Sequence, residues 1–304
     1  MSNPVIEVKN FRKKYGDFTA VDDITFSVQQ GEIFGLLGPN GAGKTSTLES
    51  LEGLRAPDGG ALRVAGVNPV AEPRKLRHVI GVQLQSGGLP ASITADEAMK
   101  LFCAYHGVAP RFDLLERLGM QDKRHVEFQG LSTGQQRRLA LALAVAHEPP
   151  VVFLDEPTAG LDVASRVELH NLMRELKGKG TTIILATHDM AEAEEMSDRV
   201  AILLQGKLVA VDTPLAITAT GAGLTKISVN TRSASLLANH HDFPAVSQQH
   251  VKEGYAIYFS TDIGQTVAAL IGYVQAQADT LIDLRVERPS LEDRFLELTN
   301  GGAK

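Results

Sequence analysis

GPNGAGKT, residues 38–45, is the stretch on which the fold of this chain turns. Gly38, Pro39, Asn40, Gly41, Ala42, Gly43, Lys44 and Thr45 fit the pattern GxxxxGK[ST], and Ser46 follows directly. The apolar run GEIFGLLG leads into it as a buried strand, and a helix is expected beyond it from Gly43 to Gly53. Strand, glycine loop and helix in that order give the pattern its mechanism. Glycines let backbone N–H groups curl around phosphate oxygens, and the helix turns its positive end toward them. Lys44 then neutralises β and γ oxygens, while Thr45 offers its hydroxyl to magnesium. A plain glycine turn would give Lys44 and Thr45 no reason to follow it.

A second carrier of chemistry lies further along. Val151, Val152, Phe153, Leu154, Asp155 and Glu156 read as a buried strand ending in two carboxylates, and buried charges need partners. A phosphate loop supplies one: Asp155 can hold magnesium through water, and Glu156 can orient or deprotonate an attacking water. Without the phosphate loop, two caps for the next helix would be the simpler explanation.

Around these motifs the chain reads as α/β. VIEVKNF and VDDITFSV flank the turn KKYGDF and imply an antiparallel edge. Strands are expected at 61–65, 79–84, 151–154, 182–186 and 200–204, separated mostly by helical patterns, which implies a largely parallel sheet. Residues 86–147 carry helical spacing only and read as a helical subdomain. After the glycine-containing segment TATGAG the pattern shifts to TKISVN, VKEGYAIYF and LIDLRVE as strands, with helices at 264–278 and 290–299. Two domains are therefore expected, at 1–220 and 222–304, the second a small α+β unit.

Bulk properties narrow the function. The 304 residues carry 30 basic and 36 acidic side chains, a net charge of -6 without long blocks of either sign, so no basic field is offered to nucleic acid. The single Cys103 sits in an apolar run and reads as a buried thiol in a reducing compartment. The N-terminus lacks signal-peptide character. The longest apolar run, Leu139 to Ala146, is far short of the roughly 20 residues of a spanning helix, so any membrane connection comes through a partner. His240 and His241 are adjacent, but no spaced Cys, His or carboxylate set makes them a metal site.

LSTGQQRRLALALA, residues 131–144, just before the acidic strand, resembles the signature that ABC ATPases place there. The resemblance implies a P-loop ABC ATPase core with ATP and Mg2+ as ligands. It also implies a homodimer or heterodimer in which the signature of one subunit closes on the ATP held by the other. Carried over, Ser132, Gly134 and Gln135 contact that ATP; physically, Ser132 can cap a helix whose N–H groups face an anion. Tyr15 is similar to the aromatic that stacks on adenine, and Gln85 to the glutamine that reaches magnesium and senses a membrane partner, with Gln83 close by. Asp162, in AGLD, resembles the carboxylate of the subunit-contact loop. His188 resembles the switch histidine that contacts the γ-phosphate and Glu156. Departures are Thr133 where glycine is commoner, AGLD where SALD is commoner, and a shorter 86–130 segment.

ERPSLEDRFLELTNG, residues 287–301, resembles the closing motif of drug and polyketide antibiotic exporter ATPases through Pro289, Leu291, Glu292, Asp293 and Phe295. Leu291, Phe295 and Leu298 also have the spacing of a packed helix face. The resemblance implies a cytoplasmic ATPase, peripheral on the inner face of the membrane, that powers a separate transmembrane permease as an exporter motor. An importer motor shares the same catalytic core, and a soluble non-transport ABC ATPase is a further alternative, although long coiled-coil insertions or paired cassettes are absent.

Overall fold

The computed structural model describes residues 4–83, 88–219, 224–237, 241–287 and 289–300. The chain divides into two units, residues 1–213 and 214–304. The first opens with strands β1 (Ile6–Tyr15) and β2 (Phe18–Val28), which pair antiparallel across Gly16 and Asp17 with Tyr15 opposite Phe18. Strand β3 (Ile33–Leu37) runs into the glycine loop and helix α1 (Lys44–Leu51). Strand β4 (Gly59–Val64) then joins β1 to complete a three-stranded antiparallel sheet in the order β2-β1-β4.

Helix α2 (Pro73–Val79) precedes β5 (Ile80–Gln83), so Val79 ends a helix instead of starting the expected strand. Of α2 only Leu76 is buried, which leaves no periodic apolar signal to read. Helices α3 (Ala95–His106), α4 (Phe112–Arg117) and α5 (Thr133–Val145) build the helical portion. Strand β6 (Val151–Asp155), helix α6 (Val163–Gly178), β7 (Thr182–Thr187), α7 (Met190–Met196), β8 (Arg199–Leu204) and β9 (Lys207–Asp212) complete the unit. The six-stranded sheet runs β5-β6-β7-β3-β8-β9, parallel throughout except for the antiparallel β9 at its edge.

All five residues of β3 and all five of β6 are buried, as both faces of this sheet are covered. Strand alternation sorts their side chains into two cores. Ile33, Val152, Leu154, Ile183 and Leu185 pack with Met99, Cys103, Leu139 and Leu172 of the helices. Phe34, Leu36, Val151, Phe153 and Ile184 pack with Ile6, Val8, Phe11 and Val21 of the antiparallel sheet. Cys103 is fully buried, with its thiol 3.5 Å from the Met99 sulfur.

The second unit begins with α8 (Pro214–Ala219), ahead of the TATGAG segment, whose residues 220–223 lie outside the described residues. Strands β10 (Thr225–Thr231), β11 (Val246–Lys252) and β12 (Tyr255–Ser260), helix α9 (Ile263–Ala276), β13 (Leu281–Glu287) and α10 (Leu291–Asn300) follow. Its antiparallel sheet has the order β11-β12-β10-β13. VKEGYAIYF is a hairpin and not one strand: Glu253 (φ 52°) and Gly254 (φ 79°) both take the left-handed conformation that a tight two-residue turn demands. Ile227, Val229 and Tyr258 pack against Leu270 and Val274 of α9. Leu291 is fully buried and Phe295 and Leu298 are half-buried, so the packed face of α10 is already used within the chain. Among the described residues no helix is long and apolar enough to cross a membrane.

Candidate functional site

The loop after β3 keeps glycine where a side chain cannot go. At Gly38 (φ 154°) a Cβ would stand 2.3 Å from the Leu203 carbonyl oxygen, and at Gly43 (φ 102°) 2.6 Å from that of Ala20. Gly41 (φ 82°) has open space instead, and its left-handed backbone alone favours glycine. Gly43 caps α1 without any side-chain hydrogen bond, so nothing of its own covers the first N–H groups of that helix. The Lys44 ammonium donates to the carbonyls of Gly38 (2.7 Å) and Pro39 (3.3 Å). Burial pulls its pKa down, and the nearby charges of Glu156 and Asp155 oppose that pull.

The parallel pairing of β6 with β7 sets Asp155 beside Ala186. Asp155 and Glu156 are each 7% exposed, two carboxylates at the end of one strand. Burial, reinforced by Glu156, raises the Asp155 pKa, while Lys44 and a hydrogen bond from the Thr45 hydroxyl hold it down. Glu156 takes a left-handed backbone (φ 50°), a conformation costing of order 1–3 kcal/mol outside glycine. Its N–H donates to the Ala186 carbonyl at 2.9 Å, and its carbonyl accepts from the Arg137 guanidinium at 3.0 Å. The carboxylate Oε1 accepts from the His188 backbone N–H at 3.1 Å and lies 2.7 Å from His188 Nδ1. The glutamate is thus held from the far side by the end of β7.

These groups share one cavity of about 230 Å³, lined by Tyr15, Phe18, Ala20, residues 39–46, Asp155 and Glu156. Tyr15 stands at its rim, its hydroxyl 3.3 Å from Ser46 Oγ and its ring within 5.3 Å of the Lys13 ammonium. Ser132, Gly134, Gln135 and Asp162 do not line it. Ser132 caps α5 in a reciprocal box: its hydroxyl accepts from the Gln135 N–H at 3.3 Å, and Gln135 Oε1 accepts from the Ser132 N–H at 2.9 Å. The start of α5 lies against the 159–162 loop, since a Cβ on Gly134 would touch Leu161 at 3.4 Å. Asp162 in turn caps α6 through Ser165 N–H at 2.9 Å. Gln85 lies outside the described residues.

Four further residues stand close to this chemistry, among them Gln83, which the sequence sets beside Gln85, and Arg137, which lies inside the signature stretch. Phe18, 63% exposed, lines the cavity opposite the loop; an exposed phenylalanine in the turn KKYGDF was the available signal. Gln83 ends β5 fully buried, one strand away from Asp155, its Oε1 without a hydrogen-bond partner among the described residues. Arg137 ties the signature helix to the backbone of Glu156. Burial pushes the pKa of Glu52, just past α1, to about 8, with Asp155 and Glu49 adding to the shift. Nothing in a sequence distinguishes that buried glutamate from a solvated one.

A phosphate-receiving loop, a carboxylate pair, and a capped helix outside the cavity have counterparts in known proteins. The ABC transporter family profile matches residues 21–159. A Nod factor export ATP-binding protein of Ralstonia nicotianae is 34% identical over 307 residues, covering 98% of this chain and 94% of that one. A daunorubicin resistance ATP-binding protein of Streptomyces coeruleorubidus is 33% identical over 308 residues, covering 98% and 97%. Among solved structures, a dimeric post-hydrolysis state of an ATP-binding cassette bound to ADP and Pi aligns with TM-score 0.63 at 26% identity, over 68% of this chain and 98% of that one. The chain belongs to the ABC transporter family, among its ATP-binding subunits.

Proposed function

We propose that this chain is the ATPase motor of a membrane exporter, working as two ATPase subunits that close around ATP and drive a separate transmembrane permease. The observation that carries this reading is the division of the site. Lys44, Asp155 and Glu156 line one cavity, whereas Ser132, Gly134 and Gln135 stand outside it on a helix start that Ser132 caps. A second subunit would bring its own Ser132, Gly134 and Gln135 over the open side.

In that arrangement the backbone N–H groups of residues 40–45 and the Lys44 ammonium neutralise the β and γ phosphates. Tyr15 and Phe18 offer aromatic faces at the mouth. Glu156 orients a water for in-line attack on the γ phosphorus and takes its proton. The bond from the γ phosphorus to the β–γ bridging oxygen breaks, releasing ADP and phosphate. His188, bonded to Glu156 Oε1, positions that carboxylate. The Thr45 hydroxyl and Asp155 carboxylate are adjacent hard oxygen donors, and Lys44 only partly offsets the buried Asp155, so the residues fit Mg2+, which would screen phosphate charge when bound.

Attachment to a permease is supported by an apolar groove of about 620 Å³ lined by Leu101, Phe102, Tyr105, Leu143 and Ala144. Leu101 and Tyr105 are 58% and 55% exposed there. Export as the direction is supported by the relatives, one named for Nod factor export and one for daunorubicin resistance. Such a chain lies in the cytoplasm on the inner face of the membrane. The test is Glu156→Gln: turnover should fall about 10²- to 10⁴-fold while ATP binding persists, and a stable ATP-bound dimer should appear on size exclusion. Undiminished hydrolysis would overturn the assignment.

A further inference from the structure

We propose that Arg137 is a positioning residue for hydrolysis, a side chain of the signature helix that holds the backbone of Glu156 and so aims its carboxylate at the attacking water. The inference rests on the role proposed above for Glu156 and names the group that serves it. Glu156 follows the last residue of β6 and turns away with a left-handed φ of 50°, so its carbonyl belongs to the turn that comes next. Its N–H donates to the Ala186 carbonyl at 2.9 Å, which ties that side of the residue to β7. On the other side the carbonyl opens the turn 156–159 and accepts from the Ala159 N–H at 3.3 Å, a long hydrogen bond. Arg137 Nη1 donates to the same oxygen at 3.0 Å and to the Ala159 carbonyl as well, so one guanidinium bridges both ends of the turn. Bonds from a cationic donor are roughly twice as strong as neutral ones.

The neighbours of Arg137 show that this contact is particular to it. Gln136 donates to the carbonyls of Phe128 at 2.9 Å and Leu131 at 3.2 Å, and Arg138 donates to that of Leu118 at 3.0 Å. Those two hold α5 to its own helical portion, Gln135 is taken up in the box with Ser132, and of the run QQRR Arg137 alone bonds to the turn after β6. Among the described residues it has no ion pair, although arginine is the cation best suited to one. The carboxylate of Glu156 is held from a different element, by the His188 N–H at 3.1 Å and Nδ1 at 2.7 Å at the end of β7. With the carbonyl fixed by α5 and the carboxylate by β7, the side chain has one direction. Releasing the carbonyl frees the turn to shift, and a misplacement of about 1 Å in a reacting geometry costs roughly 10²-fold in rate. The same helix starts at Ser132, so the bond also joins the segment proposed to meet the second ATP to the group that orients the water.

The experiment compares full-length Arg137→Ala with the parent chain, with Glu156→Gln and with the double variant, by single-turnover hydrolysis of radiolabelled ATP, nucleotide titration and size exclusion. Turnover of Arg137→Ala should fall about 10- to 100-fold, with ATP affinity unchanged. An ATP-bound dimer should accumulate although Glu156 is intact, because closure outlasts the slowed hydrolysis. A residue that acts through Glu156 has nothing left to aim once the carboxylate is gone, so adding Arg137→Ala to Glu156→Gln should cost less than about threefold more. Arg137→Lys keeps a cationic donor without the fork, so it should lose less rate and show the same non-additivity, which covers an alanine variant that fails to fold. Parent-like turnover in Arg137→Ala, or losses that multiply in the double variant, would overturn the positioning role. So would loss of ATP binding or of the ATP-bound dimer, the mark of a residue that merely braces α5. Undiminished hydrolysis by Glu156→Gln strikes the reading of Glu156 itself and this proposal with it, whereas a slow Glu156→Gln beside a parent-like Arg137→Ala strikes the proposal alone.

Discussion

Residues 1–213 and residues 214–304 obey the same rules of alternation, capping and buried ion pairing, yet they differ in what packing leaves unexplained. In the second unit nearly every feature serves its own core. Lys226 meets the buried Asp293 at 3.0 Å, Ser260 meets Thr266 at 2.6 Å, and Leu291 disappears under its neighbours. In the first unit several residues defy packing logic together: an uncapped helix behind Gly43, a buried lysine that donates to loop carbonyls, and two acids buried on one strand end. Where several such costs converge on one cavity, a ligand that uses them is the physical reason for keeping them. Function is legible where residues are wrong for folding and right for chemistry.

Three perturbations break or sharpen that contrast. Lys44→Ala removes a charge-assisted contact of about 1.5–3 kcal/mol, so ATP affinity should drop roughly 10- to 100-fold in fluorescent-nucleotide titration; wild-type affinity would detach the loop from phosphate. A chain ending at Thr213 should bind ATP with unchanged affinity, yet form less dimer in the Glu156→Gln background with ATP. Lost ATP binding would mean that the second unit shares in the site. The smallest effect concerns Glu52. Folded, it keeps its proton to about pH 8, against 4.5 for an ordinary glutamate. Its contribution to stability is therefore complete below the lower value and fades as pH rises toward the higher, by at most about 1.4 kcal/mol per pH unit. Glu52→Gln stays neutral, so its urea unfolding at about pH 5 and about pH 8 should differ less than that of the parent chain; an identical slope would place the dependence elsewhere.

Much of the first unit could be read from the chain because β3, β6, β7 and β8 are near-continuous apolar runs bounded by motif residues. What escaped was weakly patterned. KLVAVD of β9 is a half-buried edge, and PRKLRHV of α2 buries a single leucine. The turn that splits VKEGYAIYF depends on Glu253 adopting a conformation usually left to glycine or asparagine. The candidate site was legible as motifs, since GPNGAGKT, VVFLDE and LSTGQQ are ordered by chemistry, while burial created the features that motifs omit: the raised pKa of Glu52, the burial of the Gln83 amide and the Arg137 contact. In the second unit strands, helices and the closing motif at 287–301 were legible, but no group for chemistry, because its residues answer to one another.

The central claim is that the cavity holding Lys44 and Glu156 is completed by the Ser132–Gln135 segment of another copy. Cysteines at Asn40 and Gly134 of the same chain, oxidised with and without ATP and resolved by denaturing electrophoresis, test it most directly. A covalent dimer that forms only with ATP is the expected result, and disulfides that stay within single chains, or form equally without nucleotide, would contradict it.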